Sequence, residues 1–344
     1  MIIKDFNTDE NVFIIAELSA NHNQDFNTAV ESIKVMKECG ADAVKLQTYT
    51  ADTLTINCDN ECFRIKGTIW NGQTLYDLYN KAYMPWEWQP KLKKLADNLG
   101  LIFFSSPFDK TAVDFLEEMK VPAYKIASFE LVDVPLIEYT ASKRKPMIIS
   151  TGIAAEEEIQ DAVDACRKVG NYEIALLKCT SEYPAPIEEA NLYAIPALQD
   201  KFNCTAGLSD HTLGITASIA AVALGARIIE KHFILDKKIG GPDSSFSLDP
   251  DEFKKMVDSI RIVEKALGNG NLEIHSNLKK GRTFARSLFV VEDIKAGEIF
   301  NGKNIRSIRP SNGLPPKYLI DILGKKAKFD IKRGTPLSWE MIEQ

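Results

Sequence analysis

The sequence lacks the usual marks of a secreted, membrane or nucleic-acid-binding protein. Its six cysteines, at positions 39, 58, 62, 166, 179 and 204, include no CxxC pair. The common zinc-clip spacing is therefore absent, Cys58 with Cys62 is too weak a signal alone, and reduced thiols in a cytoplasm fit best. No apolar run reaches the roughly 18 residues that a membrane helix requires. The opening stretch MIIKDFNTDENVF has neither a long apolar segment nor a small-residue cleavage site, so a soluble, unprocessed protein is expected. A net charge of −6 argues against nucleic acid or an anionic membrane as partner. No Gly-x-Gly-x-x-Gly follows the first apolar run, which counts against an open dinucleotide-binding sheet. Histidine is scarce as well, with His22, His211, His232 and His275 the full set.

What is present is ordinary globular composition: 344 residues, 45% hydrophobic and 26% charged, enough for one large domain and a small one. From Val12 onward, short β-branched runs alternate with longer amphipathic ones. The strands are expected at Val12–Glu17, Ala43–Gln47, Leu101–Ser105, Ala123–Ala127, Pro146–Ser150, Ile174–Cys179, Cys204–Leu208 and Arg227–Phe233. Helical runs follow most of them, with Asp249-Pro250 opening the last and Gly40, Gly100, Gly170 and Gly225 closing four others. Eight parallel strands with right-handed crossovers make an α/β protein, a (β/α)8 TIM barrel, expected over residues 1–268. After a linker at 269–281 the pattern changes to short strands and turns. Ser287–Val291, Ile305–Ile308 and Ala327–Phe329 are read as strands of a small, mostly β module at 282–344.

Polar residues stand at the carboxyl end of nearly every strand: Glu17, Lys45 with Gln47, Ser105 with Ser106, Lys125 with Ser128, Ser150 with Thr151, Lys178 with Thr180, Ser209-Asp210-His211, and Glu230 with His232. A barrel brings these ends to one face, where active sites of this architecture lie. Helix capping accounts as readily for Ser105, Thr151 and Asp210. It does not account for Lys45 and Lys125, cations at a barrel mouth that call for an anion. With Ser128, Ser150 and Ser209 they form a cradle for a small molecule carrying phosphate and carboxylate. Glu230 and His232, two apart in a strand, share one face, and such a pair is costly to bury unless it binds something or itself. His211 and His232 on neighbouring strands suit Mn, Fe, Co or Zn as a Lewis acid, with a hydrogen-bonding histidine pair as the alternative. A metal beside an anion cradle suggests condensation of a phosphorylated acid with a carbonyl compound. The segment from Thr48 to Met84 is too long for a bare turn; it either shapes the pocket or is a packed surface excursion.

Eight ordered motifs carry a resemblance. Ala16-Glu17-Leu18-Ser19-Ala20-Asn21-His22-Asn23, Lys45-Leu46-Gln47-Thr48, Ser105-Ser106-Pro107-Phe108, Tyr124-Lys125-Ile126-Ala127-Ser128-Phe129-Glu130, Ile149-Ser150-Thr151-Gly152, Cys179-Thr180-Ser181-Glu182-Tyr183-Pro184, Gly207-Leu208-Ser209-Asp210-His211-Thr212 and Glu230-Lys231-His232-Phe233 with Gly241-Pro242-Asp243 together resemble the sialic acid synthase family. The likeness spans essentially the whole chain, since the tail from Arg282 is similar to that family's antifreeze-like (SAF) domain. It implies a barrel that binds phosphoenolpyruvate and a divalent cation, usually Mn, with Mg or Co in its place. Residue by residue, it implies His211 and His232 as metal ligands and Glu17 as the group that stabilises a cationic centre or activates water. Lys45, Ser106, Lys125, Ser128, Ser150, Ser181 and Ser209 would bind phosphoenolpyruvate. Gln47, Asn71, Glu130, Tyr183 and Asp243 would face the sugar. Arg309 matches the SAF-domain arginine that reaches a partner subunit's active site, so a homodimer is implied. Gln24 stands where neuraminate-forming members usually show Gly, and Lys178 where they often show His. Those departures, with Phe63–Gly72 and Gly240–Leu248, favour 2,4-diacetamido-2,4,6-trideoxy-L-altrose as acceptor. Neuraminic or legionaminic acid formation from another N-acetylated hexosamine is the alternative. A carbohydrate- or ice-binding protein, suggested by the tail alone, would have no use for two imidazoles beside two lysines.

Overall fold

Eight short runs, apolar on both faces, form one parallel sheet closed on itself. They are β3 (Phe13–Glu17), β4 (Ala43–Thr48), β5 (Ile102–Pro107), β6 (Tyr124–Ile126), β7 (Met147–Ser150), β8 (Ile174–Cys179), β9 (Thr205–Asp210) and β10 (Ile228–His232), and β10 pairs with β3 to complete the barrel. Nearly every strand residue is buried, as expected when side chains fill the lumen on one face and meet helices on the other. Register then fixes which polar ends meet. His232 pairs with Glu17, Glu17 with Lys45, Gln47 with Ser106, and Ser209 with both Glu230 and Cys179.

Several of the crossover helices begin where a side chain caps them. Asp25 accepts the Asn27 N–H ahead of Phe26–Glu38, and Asp109 accepts those of Thr111 and Ala112 ahead of Lys110–Glu118. Asp249 and Glu252 form a reciprocal capping box at Pro250–Leu267. Their apolar stripes, such as Phe253, Met256, Val257 and Ile260, pack on the barrel's outer face. A hairpin of β1 (Ile2–Ile3) and β2 (Phe6–Asn7) was not anticipated; it lays the Phe6 ring 4.8 Å from Phe13, at the end of the barrel opposite the polar residues.

Two compact units make up the chain, Met1–Gly268 and Asn269–Gln344. The computed structural model describes residues 1–272 and 280–343; residues 273–279 of the expected linker, with His275, lie outside the described residues. In the second unit β11 (Ser287–Val290) and β12 (Ile305–Ile308) pair antiparallel over a core that includes Leu288, Val290, Phe300, Ile322 and Leu337. The strand expected at Ala327–Phe329 is not formed: only Ala327 makes an isolated bridge, to Ile342, because the chain turns at once after it. Among the described residues no helix is long and apolar enough to cross a membrane.

Candidate active site

The carboxyl ends of the strands surround a cavity of about 390 Å³. Its floor is a four-charge cluster built by register. Lys45 Nζ lies 2.9 Å from Glu17 Oε1 and 3.1 Å from Glu230 Oε1, and Lys125 Nζ lies 3.4 Å from the same Glu230 oxygen. Ser209 Oγ donates to Glu230 at 3.0 Å, Gln47 Nε2 to Glu17 at 2.9 Å, and Lys125 to Ser150 Oγ at 2.7 Å. All four charged side chains are buried, so each ion needs its opposite within reach. Burial works against the charge on Glu17, yet His232 and Lys45 outweigh it and hold the carboxyl well below its ordinary range. Burial likewise opposes Glu230, and Lys125 with Lys45 pull it down. Lys45 rises despite burial because both carboxylates face it, whereas burial leaves Lys125 below the ordinary lysine value.

This cluster corrects one expectation. The anion that Lys45 and Lys125 were expected to need is supplied first by the chain itself, through Glu17 and Glu230. Glu230, noted in the sequence without a role, is the hub, and its Oε2 is buried with no partner among the described residues. The same is true of Ser106 Oγ, Glu130 Oε2, His232 Nδ1 and Trp70 Nε1, all at this end of the barrel. Buried polar atoms left unsatisfied together mark where a ligand completes the hydrogen bonding.

Above the floor, His211 and His232 face each other with ring centroids 5.3 Å apart and share Phe246 as a packing partner. His211 Nδ1 sits 3.1 Å from Thr180 O, which fixes the proton there and leaves Nε2 with a lone pair. His232 Nε2 lies 3.2 Å from Glu17 Oε2, which leaves Nδ1, 3.7 Å from Asp243 Oδ2, as its free lone pair. Two such nitrogens beside a carboxylate fit a divalent cation that takes its remaining ligands from substrate or water. Among the described residues no cluster of three His, Cys, Asp or Glu ligands is formed, so the two imidazoles are what the chain itself would offer the ion.

Gly152 lets the neighbouring cradle close. A Cβ there would collide with Ser181 Oγ and stand 2.8 Å from Ser128 Oγ, whose hydroxyl accepts the Gly152 N–H at 3.3 Å. Ser128, Ser150 and Ser209 line the cavity. Ser106 and Ser181 do not: Ser106 is fully buried beneath it, and Ser181 packs beside Cys179. Several strand-end polar residues point away from the lumen. Ser105 hydrogen-bonds Thr48, Lys178 ties back to Cys179 O and Thr180, and Asp210 accepts from Thr212, Ser218 and Lys231.

The outer wall comes from the long insertion after β4. Tyr49, Leu54, Ile65, Thr68, Trp70, Leu75, Leu78 and Tyr79 line the cavity there. A helix at Leu75–Ala82, capped by Thr74, carries the last of them, and Gln24 holds its end by donating to Lys81 O and Tyr83 O. Gln24 adopts a φ of 57°, a left-handed conformation costly for a side chain other than glycine, so the tether stands against that strain. Of the expected sugar-facing residues, Gln47, Glu130, Tyr183 and Asp243 line the cavity. Asn71 does not; its side chain accepts the Gly67 N–H at the exposed turn, and Trp70 faces the cavity in its place. Arg309 is exposed in the second unit, just past β12.

Glu130 offers a pH handle away from the imidazoles. Burial pushes its carboxyl up to about 7, against its own N–H and Lys125, with Asp133 adding to the rise. The unfolded chain would release this proton near the ordinary glutamate value of 4.5 and the folded one near 7, so stability falls as pH rises across that window. Glu130→Gln should flatten the fall and, at neutral pH, gain on the order of 1–2 kcal/mol once partial exposure is allowed for. Urea unfolding at pH 5 and pH 8 checks it; equal slopes in both proteins would contradict the assignment.

A closed (β/α)8 barrel whose mouth gathers buried lysines, carboxylates and two imidazoles under a walled cavity defines an enzyme of the barrel class. The chain belongs to the NeuB family, whose signature matches residues 32–272, and it carries a SAF domain matched at residues 285–343. It is 52% identical to a Campylobacter jejuni protein named pseudaminic acid synthase, over 98% of each chain. It is 51% identical to a Helicobacter pylori protein of the same name, over 96% of this chain and 98% of that one. A crystallised sialic acid synthetase from Leptospira borgpetersenii, in complex with citrate, superposes with a TM-score of 0.71 at 33% identity, over 79% of this chain and 90% of that one. The resemblance to sialic acid synthases is thereby borne out.

Proposed function

We propose that the chain condenses phosphoenolpyruvate with the open-chain aldehyde of 2,4-diacetamido-2,4,6-trideoxy-L-altrose and water, giving pseudaminic acid and phosphate. The observation that carries the acceptor is the full-length likeness to the Campylobacter jejuni pseudaminic acid synthase. In this reading Lys45, Lys125, Ser128, Ser150 and Ser209 hold the carboxylate and phosphate, with Ser106 and Ser181 completing the cradle once it is filled. C3 of phosphoenolpyruvate forms a bond to the aldehyde carbon, and the aldehyde oxygen takes up a proton. The positive charge left at C2 develops beside ionised Glu17, which stabilises it or draws a proton from the water that attacks there. The resulting tetrahedral phosphate hemiketal breaks its C2–O bond, and phosphate leaves with that oxygen.

His211 and His232 would hold a divalent cation, with Mn the favoured ion, which when bound polarises the aldehyde oxygen. Gln47, Glu130, Tyr183 and Asp243 would orient the sugar. Arg309 of a second copy would reach it in a homodimer. Six unpaired cysteines suit a reducing cytoplasm as its place of action. Neuraminic or legionaminic acid formation is the second reading, with the same cradle and another N-acetylated hexosamine. Phosphoenolpyruvate labelled with oxygen-18 at the bridging position tests the chemistry: the label should appear in phosphate, and its retention in the sugar product would exclude C–O cleavage.

A further inference from the structure

Trp70 lines the outer half of the cavity, yet its indole N–H is shut off from solvent and donates to no group among the described residues. The ring is held in place. It leans on Tyr183 with centroids 5.8 Å apart, and Tyr183 in turn packs 4.5 Å from His211 and 5.1 Å from Phe246. The turn that carries Trp70 is pinned by its backbone N–H to Thr68 Oγ1 and by Gln73 N–H to Trp70 O. An indole nitrogen is a donor only, so the atom that satisfies it must be an acceptor. On the insertion's side, the cavity that Trp70 lines is bounded by Ile65, Leu75, Leu78 and Tyr79, all apolar or aromatic, with Thr68 the polar exception. An acceptor flanked by apolar surface is what an acetamido group presents: a carbonyl oxygen beside a methyl.

We propose that Trp70 is a specificity-determining residue whose indole N–H donates to an acetamido carbonyl of the acceptor sugar, with the insertion after β4 receiving the acyl methyl. This rests on the reading of the site as one that takes an N-acetylated sugar, and it adds which element of the chain reads the acyl group. The N–H has no partner among the described residues, so an acceptor on the sugar would supply the hydrogen bond that it lacks. A hydroxyl at the same place on another sugar would leave the apolar wall facing a polar group. Gln24 enters as a positioning residue, because it ties the wall's helix end to the loop after β3.

The test is steady-state phosphate release by the full-length enzyme with Mn and phosphoenolpyruvate, using the diacetamido altrose and N-acetylmannosamine separately. Trp70→Phe keeps the ring stacked on Tyr183 and removes the donor. It should raise KM for the diacetamido sugar roughly tenfold while leaving kcat and the phosphoenolpyruvate KM within about twofold. Gln24→Gly, which suits the left-handed backbone, should raise the sugar KM in the same selective way. An unchanged sugar KM in Trp70→Phe, or an equal rise for both substrates, would overturn the role of the N–H. A wild-type enzyme inactive on both sugars would overturn the underlying reading, and this inference with it, in an arm that uses no variant.

Discussion

A His232→Ala enzyme is expected to remain folded and to lose roughly a thousandfold or more of its phosphate release. The ring lies at the last position of β10, on the cavity side, so truncation widens an existing cavity more than it opens a new one. A cost of about 1–3 kcal/mol follows from the lost packing on Phe246, within the usual stability of a domain. Function has less tolerance. His232 connects Glu17 at 3.2 Å with Asp243 at 3.7 Å, and its ring lines the cavity. Thermal melts should show Mn raising the wild-type midpoint and leaving the variant's unchanged. Full activity in the variant would remove the imidazole from the chemistry.

Glu230→Ala should act on stability instead, lowering it by about 3–5 kcal/mol. Glu230 Oε1 faces Lys45, Lys125 and Ser209, and all three buried groups would lose an acceptor, with Glu17 left to Lys45 and Ser150 to Lys125. One of two carboxylates would then remain against two ammonium groups, and burial already depresses Lys125. Glu230→Gln, with the shape and an acceptor oxygen kept, should recover part of the loss. Urea unfolding measures both. A Glu230→Ala protein within about 1 kcal/mol of wild type would mean that water, not Glu230, compensates the lysines.

The barrel was legible because its strands are buried on both faces and so read as unbroken apolar runs with polar residues confined to one end. Most strand limits shift by only a residue or two. Two-residue strands such as Ile2–Ile3 carry no period, and their hairpin could not be read. At the site, the motif residues were visible but their directions were not. Successive strand residues face opposite ways, so Ser105 and Ser106 part company, one toward Thr48 and the other toward the lumen. Glu230 was visible two residues from His232; its partners come from three other strands, which no local spacing reveals. The insertion was equally opaque, because Asn71 and Trp70 exchange roles through the turn at Gly67–Gly72, a tertiary outcome.

The acceptor sugar decides which nine-carbon acid the chain makes. The direct test is a competition: phosphoenolpyruvate, Mn and equal concentrations of 2,4-diacetamido-2,4,6-trideoxy-L-altrose and N-acetylmannosamine with the full-length enzyme, read by mass spectrometry of the nine-carbon acids formed and by total phosphate. The diacetamido product should dominate, matching phosphate one for one. Predominant N-acetylneuraminic acid, or phosphate without any nine-carbon acid, would exclude the diacetamido sugar as the preferred acceptor.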